Sequence, residues 1–199
     1  MIAWINVAVM IVSTLLVLYF YVRSVGPAAL EKKIGAAAYP MCARYRSISG
    51  IFMGLAGVNY VVYVFYPLPV SLARTFPWPW WGSALIAVLI AIPSGYLLGR
   101  GVRDAGEETM TPKKEHVLYQ GIYTRVRHPQ ATGEMPLWWV IAFLLHSPFL
   151  VLYSFVWIPI FIVMSWAEER DLLIRYGQAY AEYRERTGFL LPKMNKKDA

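Results

Sequence analysis

Two short polar stretches hold most of the residue types that could do chemistry. The first is Gly121-Ile122-Tyr123-Thr124-Arg125-Val126-Arg127-His128-Pro129, which carries one of only three histidines. The second is Glu168-Glu169-Arg170-Asp171. Between them runs an apolar stretch from Met135 to Ala167. Pro129 suits the first turn of a helix. The residues before it would then lie at a helix N-terminus, where free N–H groups and the dipole favour an anion. Arg125 and Arg127 add positive charge there. Glu168 and Glu169 fall where the apolar run stops, at the helix pole that disfavours acids, so they call for a cation. A ligand with both a carboxylate and an ammonium would suit the two stretches together. Glu134 stands one turn into the apolar region, where an acid is a functional residue by default; pairing with Arg100 or Arg103 is the structural alternative. Taken singly, each residue also has a plain reading: Arg125 and Arg127 as positive flanks of a helix, His128 as an interfacial histidine, the two glutamates as a solvated helix edge. The joint pattern favours a site.

The elements that must position these residues are membrane helices. Of 199 residues, 58% are apolar and 16% charged, against roughly 25% charged in soluble domains. A crossing takes about 20 apolar residues. Ile2 to Val22 fits one and reads as a retained first span with no cleavable signal. A polar segment from Arg23 to Ser47 follows. Ile48 to Tyr66 is a second span, and its Gly50-x-x-x-Gly54 spacing reads as ordinary close packing. The turn from Pro67 to Pro79 ends on Trp78, Trp80 and Trp81, an aromatic belt. Trp81 to Leu98 is a third span, with Pro93 as a kink, and Arg100 to Gln130 is a polar loop. Met135 to Ala167 is too long for one crossing; His146-Ser147-Pro148 breaks it into a tight hairpin, spans four and five, with a bend at Pro159. Glu168 to Thr187 reads as one amphipathic helix with the pairs Asp171/Arg175 and Glu182/Arg186 four residues apart, capped by Gly188.

The expected architecture is therefore an all-α integral membrane protein of about five transmembrane helices with a cytoplasmic C-terminal amphipathic helix. Residues 1–99 supply three N-terminal spans; residues 100–199 supply the loop, the hairpin and the last helix, within a single structural domain. All but one of the 19 lysines and arginines, the exception being Arg74, fall on one side. The positive-inside tendency puts the N-terminus outside and the C-terminus and the site in the cytoplasm. The net charge of +7 is then read by anionic lipid headgroups rather than nucleic acid. The single cysteine, Cys42, excludes an intrachain disulfide and a multi-cysteine metal site, and no metal is expected.

The ordered set Gly121-Ile122-Tyr123, Arg127-His128-Pro129, an apolar hairpin, Glu168-Glu169 with Leu173, then Tyr176-Gly177, Tyr180 and Tyr183 resembles the isoprenylcysteine carboxyl methyltransferase family. The similarity covers roughly Gly106 to Lys193, and His116-Val117-Leu118 matches the His-x-Leu that precedes the Gly-Ile-Tyr segment there. The resemblance implies an integral membrane enzyme that uses S-adenosylmethionine. It implies cofactor binding by His116, Leu118, Gly121, Ile122, Tyr123, Arg127, His128, Pro129, Glu168 and Glu169. Arg186 falls where the eukaryotic enzymes have an arginine near the substrate carboxylate; the alternative is a helix pair with Glu182. One departure stands out: the family's Arg-His-Pro-x-Tyr has Ala131 in the last place. Arg127-His128-Pro129 followed by Gly133-Glu134 also resembles a motif of the membrane sterol reductases.

The function this implies is methyl transfer from S-adenosylmethionine to a lipophilic or small hydrophobic acceptor, an isoprenoid or lipid carboxylate, an amine or a thiol. Arg186, Glu134 and His128 are the catalytic candidates: Arg186 to orient a carboxylate, Glu134 or His128 as a base for an amine or thiol. An NADPH-dependent reductase and a non-enzymatic membrane subunit are the alternatives. The acceptor and the oligomeric state are not readable from the chain.

Overall fold

The computed structural model describes residues 1–113 and 120–193. Nine α-helices are formed by these residues: α1 (Ile2–Ser24), α2 (Pro27–Ile34), α3 (Ala38–Phe65), α4 (Trp80–Ala105), α5 (Pro129–Glu134), α6 (Leu137–Leu144), α7 (Pro148–Ser154), α8 (Trp157–Tyr176) and α9 (Gln178–Arg186). Among the described residues the one β-type pairing is an isolated bridge between Val126 and Gly188. Four stretches are long and apolar enough to cross a membrane: Ile2–Ser24, Pro27–Phe65, Trp80–Thr109 and Pro148–Tyr176.

Helices α1 and α3 run antiparallel. Asn6 Nδ2 donates to the Asn59 carbonyl at 3.1 Å and Ser49 Oγ to the Val17 carbonyl at 3.0 Å, while Phe20 stacks on Phe52 at 5.7 Å. Helices α5 and α6 together run back along α4. Gln130 meets Gly101, Gly133 meets Leu98 and Ser94, Trp80 reaches the Leu144 carbonyl, and Ser83 meets His146. A Cβ at Gly133 would lie 2.4 Å from Leu98 N, so only glycine lets these two backbones touch. The core between the halves is aromatic. Trp138 stacks on Trp157 at 3.9 Å, and the fully buried Trp157 donates its indole N–H to Tyr60 OH at 3.1 Å. That bond satisfies the one polar atom a buried indole brings with it.

Several expectations change. The segment from Arg23 to Ser47 is helical, forming α2 and the first third of α3, so the second span begins earlier than its apolar run. The hairpin break at His146-Ser147-Pro148 is present: Ser147 caps α7 by accepting from Leu150 N, with Pro148 as its first residue. The first arm of the hairpin is interrupted, because Pro136 has no N–H and ends α5. The span Pro148–Tyr176 is interrupted at Phe155-Val156, one turn before Pro159, where a proline's ring and missing N–H disturb a helix, so α8 starts afresh at Trp157 and the expected bend falls there. Glu168 and Glu169 are not at a helix end, since α8 continues through them to Tyr176; the dipole argument drawn from a terminus therefore fails. The expected single C-terminal helix is cut at Gly177, whose φ of 55° closes α8 before α9. Helix α9 is capped at Thr187 rather than by a left-handed Gly188. Gly54 and Gly57 face open space, and Gly50 faces a cavity, so these glycines are not a packing seam.

Candidate active site

The polar residues gather at one end of the bundle. Contributions come from the C-terminal ends of α1 and α4, the first third of α3, the start of α5 and the second half of α8. His128 is the residue before α5, with Pro129 in the first helical position. The chain around it is pinned by the tail after α9. Arg127 N donates to the Gly188 carbonyl at 2.8 Å and His128 N to the Phe189 carbonyl at 3.2 Å. The Phe189 ring stands edge-on to the imidazole at 5.0 Å and beneath the Arg127 guanidinium at 5.4 Å.

His128 lies between two carboxylates. Its Nε2 is 3.2 Å from Glu169 Oε1 and its Nδ1 is 3.4 Å from Glu168 Oε2. A neutral imidazole has one N–H and would set its lone pair against one of those oxygens; the imidazolium satisfies both. Burial opposes the charged ring, but the hydrogen bonds and charges of Glu168 and Glu169 outweigh it and hold the His128 pKa above its ordinary value. Glu169 is fully engaged. Oε1 also takes Arg127 Nε at 2.7 Å, and Oε2 faces Arg184 Nε at 3.2 Å. Arg127 gives its Nη1 to the Arg184 and Thr187 carbonyls. The structure therefore brings the two expected polar stretches into direct contact, with no gap left between Arg127 and Glu169 for a ligand.

The ligand space lies beside the pair instead. A cavity of about 290 Å³ is lined by Glu168, His128, Arg127, Tyr123, Ala131 and Glu134 among others, with an apolar wall that includes Met53, Leu98, Phe161 and Met164. Glu168 is 32% exposed although it is deep in the protein, because it faces this cavity. Glu134 also lines it, and among the described residues its carboxylate has no hydrogen-bond or ion-pair partner. The proposed pairing with Arg100 or Arg103 is not made; Arg100 faces Asp104 at 3.6 Å. Ala131 presents a methyl group to the cavity where the resembled family has a tyrosine.

Other expected site residues serve the wall. Gly121, at φ 61°, puts no Cβ where one would meet Asp104 Oδ2 at 2.1 Å, and that oxygen accepts from Ile122 N at 2.8 Å. Gly121 and Ile122 thus fasten the loop to α4 and do not line the cavity. Tyr123 OH donates to the Gly101 carbonyl at 3.1 Å and accepts from Gln130 Nε2 at 2.9 Å. Pro129 is buried against α4. His116 and Leu118 lie outside the described residues. Arg186 is exposed, bonds the Glu182 carbonyl through Nε at 3.4 Å and does not line the cavity, so neither the substrate role nor the side-chain pair with Glu182 is seen. Asp171 and Arg175 also part company: Asp171 accepts from Ala28 N and Ala29 N at the start of α2, and Arg175 pairs with Glu108 at 2.7 Å.

Sequence reasoning missed Arg46, Tyr21, Glu108 and Arg175, all of which line the cavity. A signal was present. Arg46, Ser49, Gly50 and Met53 recur at i, i+3, i+4 and i+7, as do Glu168, Asp171, Leu172 and Arg175, which is the spacing of one helix face. Both faces form cavity walls.

The family model of the phospholipid methyltransferases matches residues 83–179, from the first turn of α4 into α9. A methanethiol S-methyltransferase from Pseudomonas sp. (strain GM41(2012)) is 27% identical over 120 residues, 60% of this chain and 45% of that protein. The chain thus spans under half the length of that curated relative. No solved structure matches. Across residues 83–179 this chain is thus similar to the phospholipid methyltransferases.

Proposed function

We propose that the protein transfers a methyl group from S-adenosylmethionine to a lipophilic or small hydrophobic acceptor inside the cavity described above. The observation that carries this reading is the unpartnered Glu134 carboxylate, set in an apolar-walled cavity beside the cavity-facing Glu168. Two acids directed at one small space suit a cationic guest, and the cofactor brings a sulfonium and an ammonium. When bound, S-adenosylmethionine supplies a methyl group already activated for transfer. The chain's part is to hold, align and dry the site; such alignment lowers a barrier by roughly 7–11 kcal/mol. His128 fixes the Glu168 carboxylate from behind, with Glu169 and Arg127 fixing His128. Glu134 accepts the proton of a thiol or amine acceptor at its carboxylate oxygen. The relative named for a thiol supports a small thiol as one acceptor class, and the room left by Ala131 supports an acceptor that approaches from that side.

The membrane arrangement belongs to the same reading. Helices α5 and α6, running the length of α4, make the fourth of five crossings, with the N-terminus outside and the site at the cytoplasmic face. Cysteine-accessibility labelling from either side of the membrane tests the orientation.

Titration of the detergent-solubilised protein with S-adenosylmethionine and with NADPH tests the chemistry. Micromolar binding of the first alone is expected. Binding of NADPH alone would make the protein a reductase, and binding of neither would leave a membrane subunit without this activity. Mass spectrometry of candidate thiols, amines and lipid carboxylates incubated with cofactor then identifies the acceptor by a gain of one methyl group.

A further inference from the structure

Two further arginines face the same cavity from different helices, Arg46 on α3 and Arg175 on α8. The Arg175 side chain is 6% exposed. It uses Nη1 on Glu108 at 2.7 Å and on Tyr176 OH at 3.4 Å, and its Nε is buried without a partner. The other oxygen of Glu108 accepts from Lys113 N at 2.9 Å rather than from Arg175. Arg46 gives Nη1 to the Glu108 and Thr109 carbonyls, both at 2.9 Å, and Nε reaches Ser24 Oγ at 3.5 Å. Among the described residues no carboxylate lies within ion-pair distance of Arg46. A guanidinium has five N–H donors. The two forks therefore keep donor capacity unspent beside a cavity that Arg127 and His128 line together with acidic and apolar side chains.

We propose that Arg46 and Arg175 form a carboxylate-binding subsite of this cavity. A carboxylate matches the fork of a guanidinium in shape and charge. A phosphate dianion is disfavoured, because Glu134, Glu168 and Asp171 line the same space. The carboxylate is either the amino-acid end of the cofactor or the head of the acceptor. The first source rests on the methyltransferase reading; the second does not. Arg46 lies outside the residues 83–179 that carry the family match, so the subsite is built partly by this chain's own N-terminal half.

The test compares two ligand pairs by calorimetry on the full-length protein in detergent. One pair is S-adenosylmethionine against its decarboxylated analogue; the other is a fatty acid against the alcohol of equal length. The carboxylate member of one pair should bind more tightly by on the order of tenfold to a hundredfold, the range of a charge-assisted hydrogen-bonded contact. Arg46→Gln and Arg175→Gln should erase that preference and leave the affinity of the member without a carboxylate unchanged. Arg46→Lys and Arg175→Lys, which keep charge but lose the fork, should retain part of it. Preference in the first pair assigns the cofactor and in the second the acceptor. Equal binding within both pairs by the wild-type protein overturns the subsite, and this arm needs no variant to fold. A preference that survives both glutamine variants overturns it as well. If neither S-adenosylmethionine nor its analogue binds, the methyltransferase reading falls while the fatty-acid pair still decides the subsite.

Discussion

The two ends of the bundle each hold a hydrogen-bonded histidine, and they use it differently. At one end His128 is flanked by two carboxylates and faces a cavity shared with Glu134. At the other, His146 Nδ1 meets the hydroxyl of Ser83 at 2.8 Å, while Trp78 Nε1 donates to that hydroxyl at 3.0 Å. The Ser83 hydroxyl accepts from the indole and keeps its own O–H and a second lone pair for His146. Phe76 stacks on Trp78 at 4.4 Å and stands near the His146 ring at 5.7 Å, so this end is filled by aromatic rings. The histidines are alike as residues; the chemistry is set by the charges and the empty volume beside them.

The largest expected effect lies at the first end. Glu134→Gln should lower methyl transfer to a thiol or amine by about 10²–10⁴-fold, the usual worth of a general base, with cofactor binding measured separately; a rate within a few fold of wild type places the base elsewhere. Next is Glu169→Ala, which strands Arg127, His128 and Arg184 together. Removing one partner of a buried ion pair costs about 3–5 kcal/mol, read as a loss of thermal stability in detergent. Glu168→Gln should instead lower cofactor affinity with a smaller stability loss, because its carboxylate faces the cavity. If the two glutamate variants behave alike, the division between a fastening and a cavity-facing acid is wrong.

The pH dependence of stability should report on His128 more gently. The folded pKa of His128 is raised above the ordinary 6.5. Its stabilising contribution is therefore complete below about pH 6.5 and is lost as pH rises through the folded value. Thermal melts of the wild type should show that decline above pH 6.5, and His128→Gln should remove it. The smallest effect belongs to Ser83→Ala at the far end, which gives up neutral hydrogen bonds worth about 0.5–1.5 kcal/mol each and should leave methyl transfer unchanged.

Much of the bundle was legible because lipid-facing helices need long apolar runs, and α1, α4 and the break at His146 to Pro148 follow from them. Helices α2 and the start of α3 were not, because their basic residues cluster at the polar end of the molecule and interrupt the hydropathy without interrupting the backbone. The meeting of Arg127-His128 with Glu168-Glu169 was readable from the helical hairpin expected between them. Its internal wiring was not: Arg184 and Phe189 come from beyond Gly177, and nothing local marks them as partners of residues sixty positions earlier. Arg175 was assigned to Asp171 by spacing alone, whereas α2 offers Asp171 two backbone N–H groups and frees Arg175 for Glu108.

The backbone contact at Gly133 fixes how this cavity can be resized. No side chain fits between residue 133 and the Ser94–Leu98 turn of α4, so the spacing of α5 from α4, whose Leu98 lines the cavity, is fixed there. Two residues earlier, Ala131 shows the cavity a lone methyl group. A designer wanting a wider or narrower acceptor range would leave the glycine alone and vary the alanine, where each added carbon subtracts room without prying the helices apart.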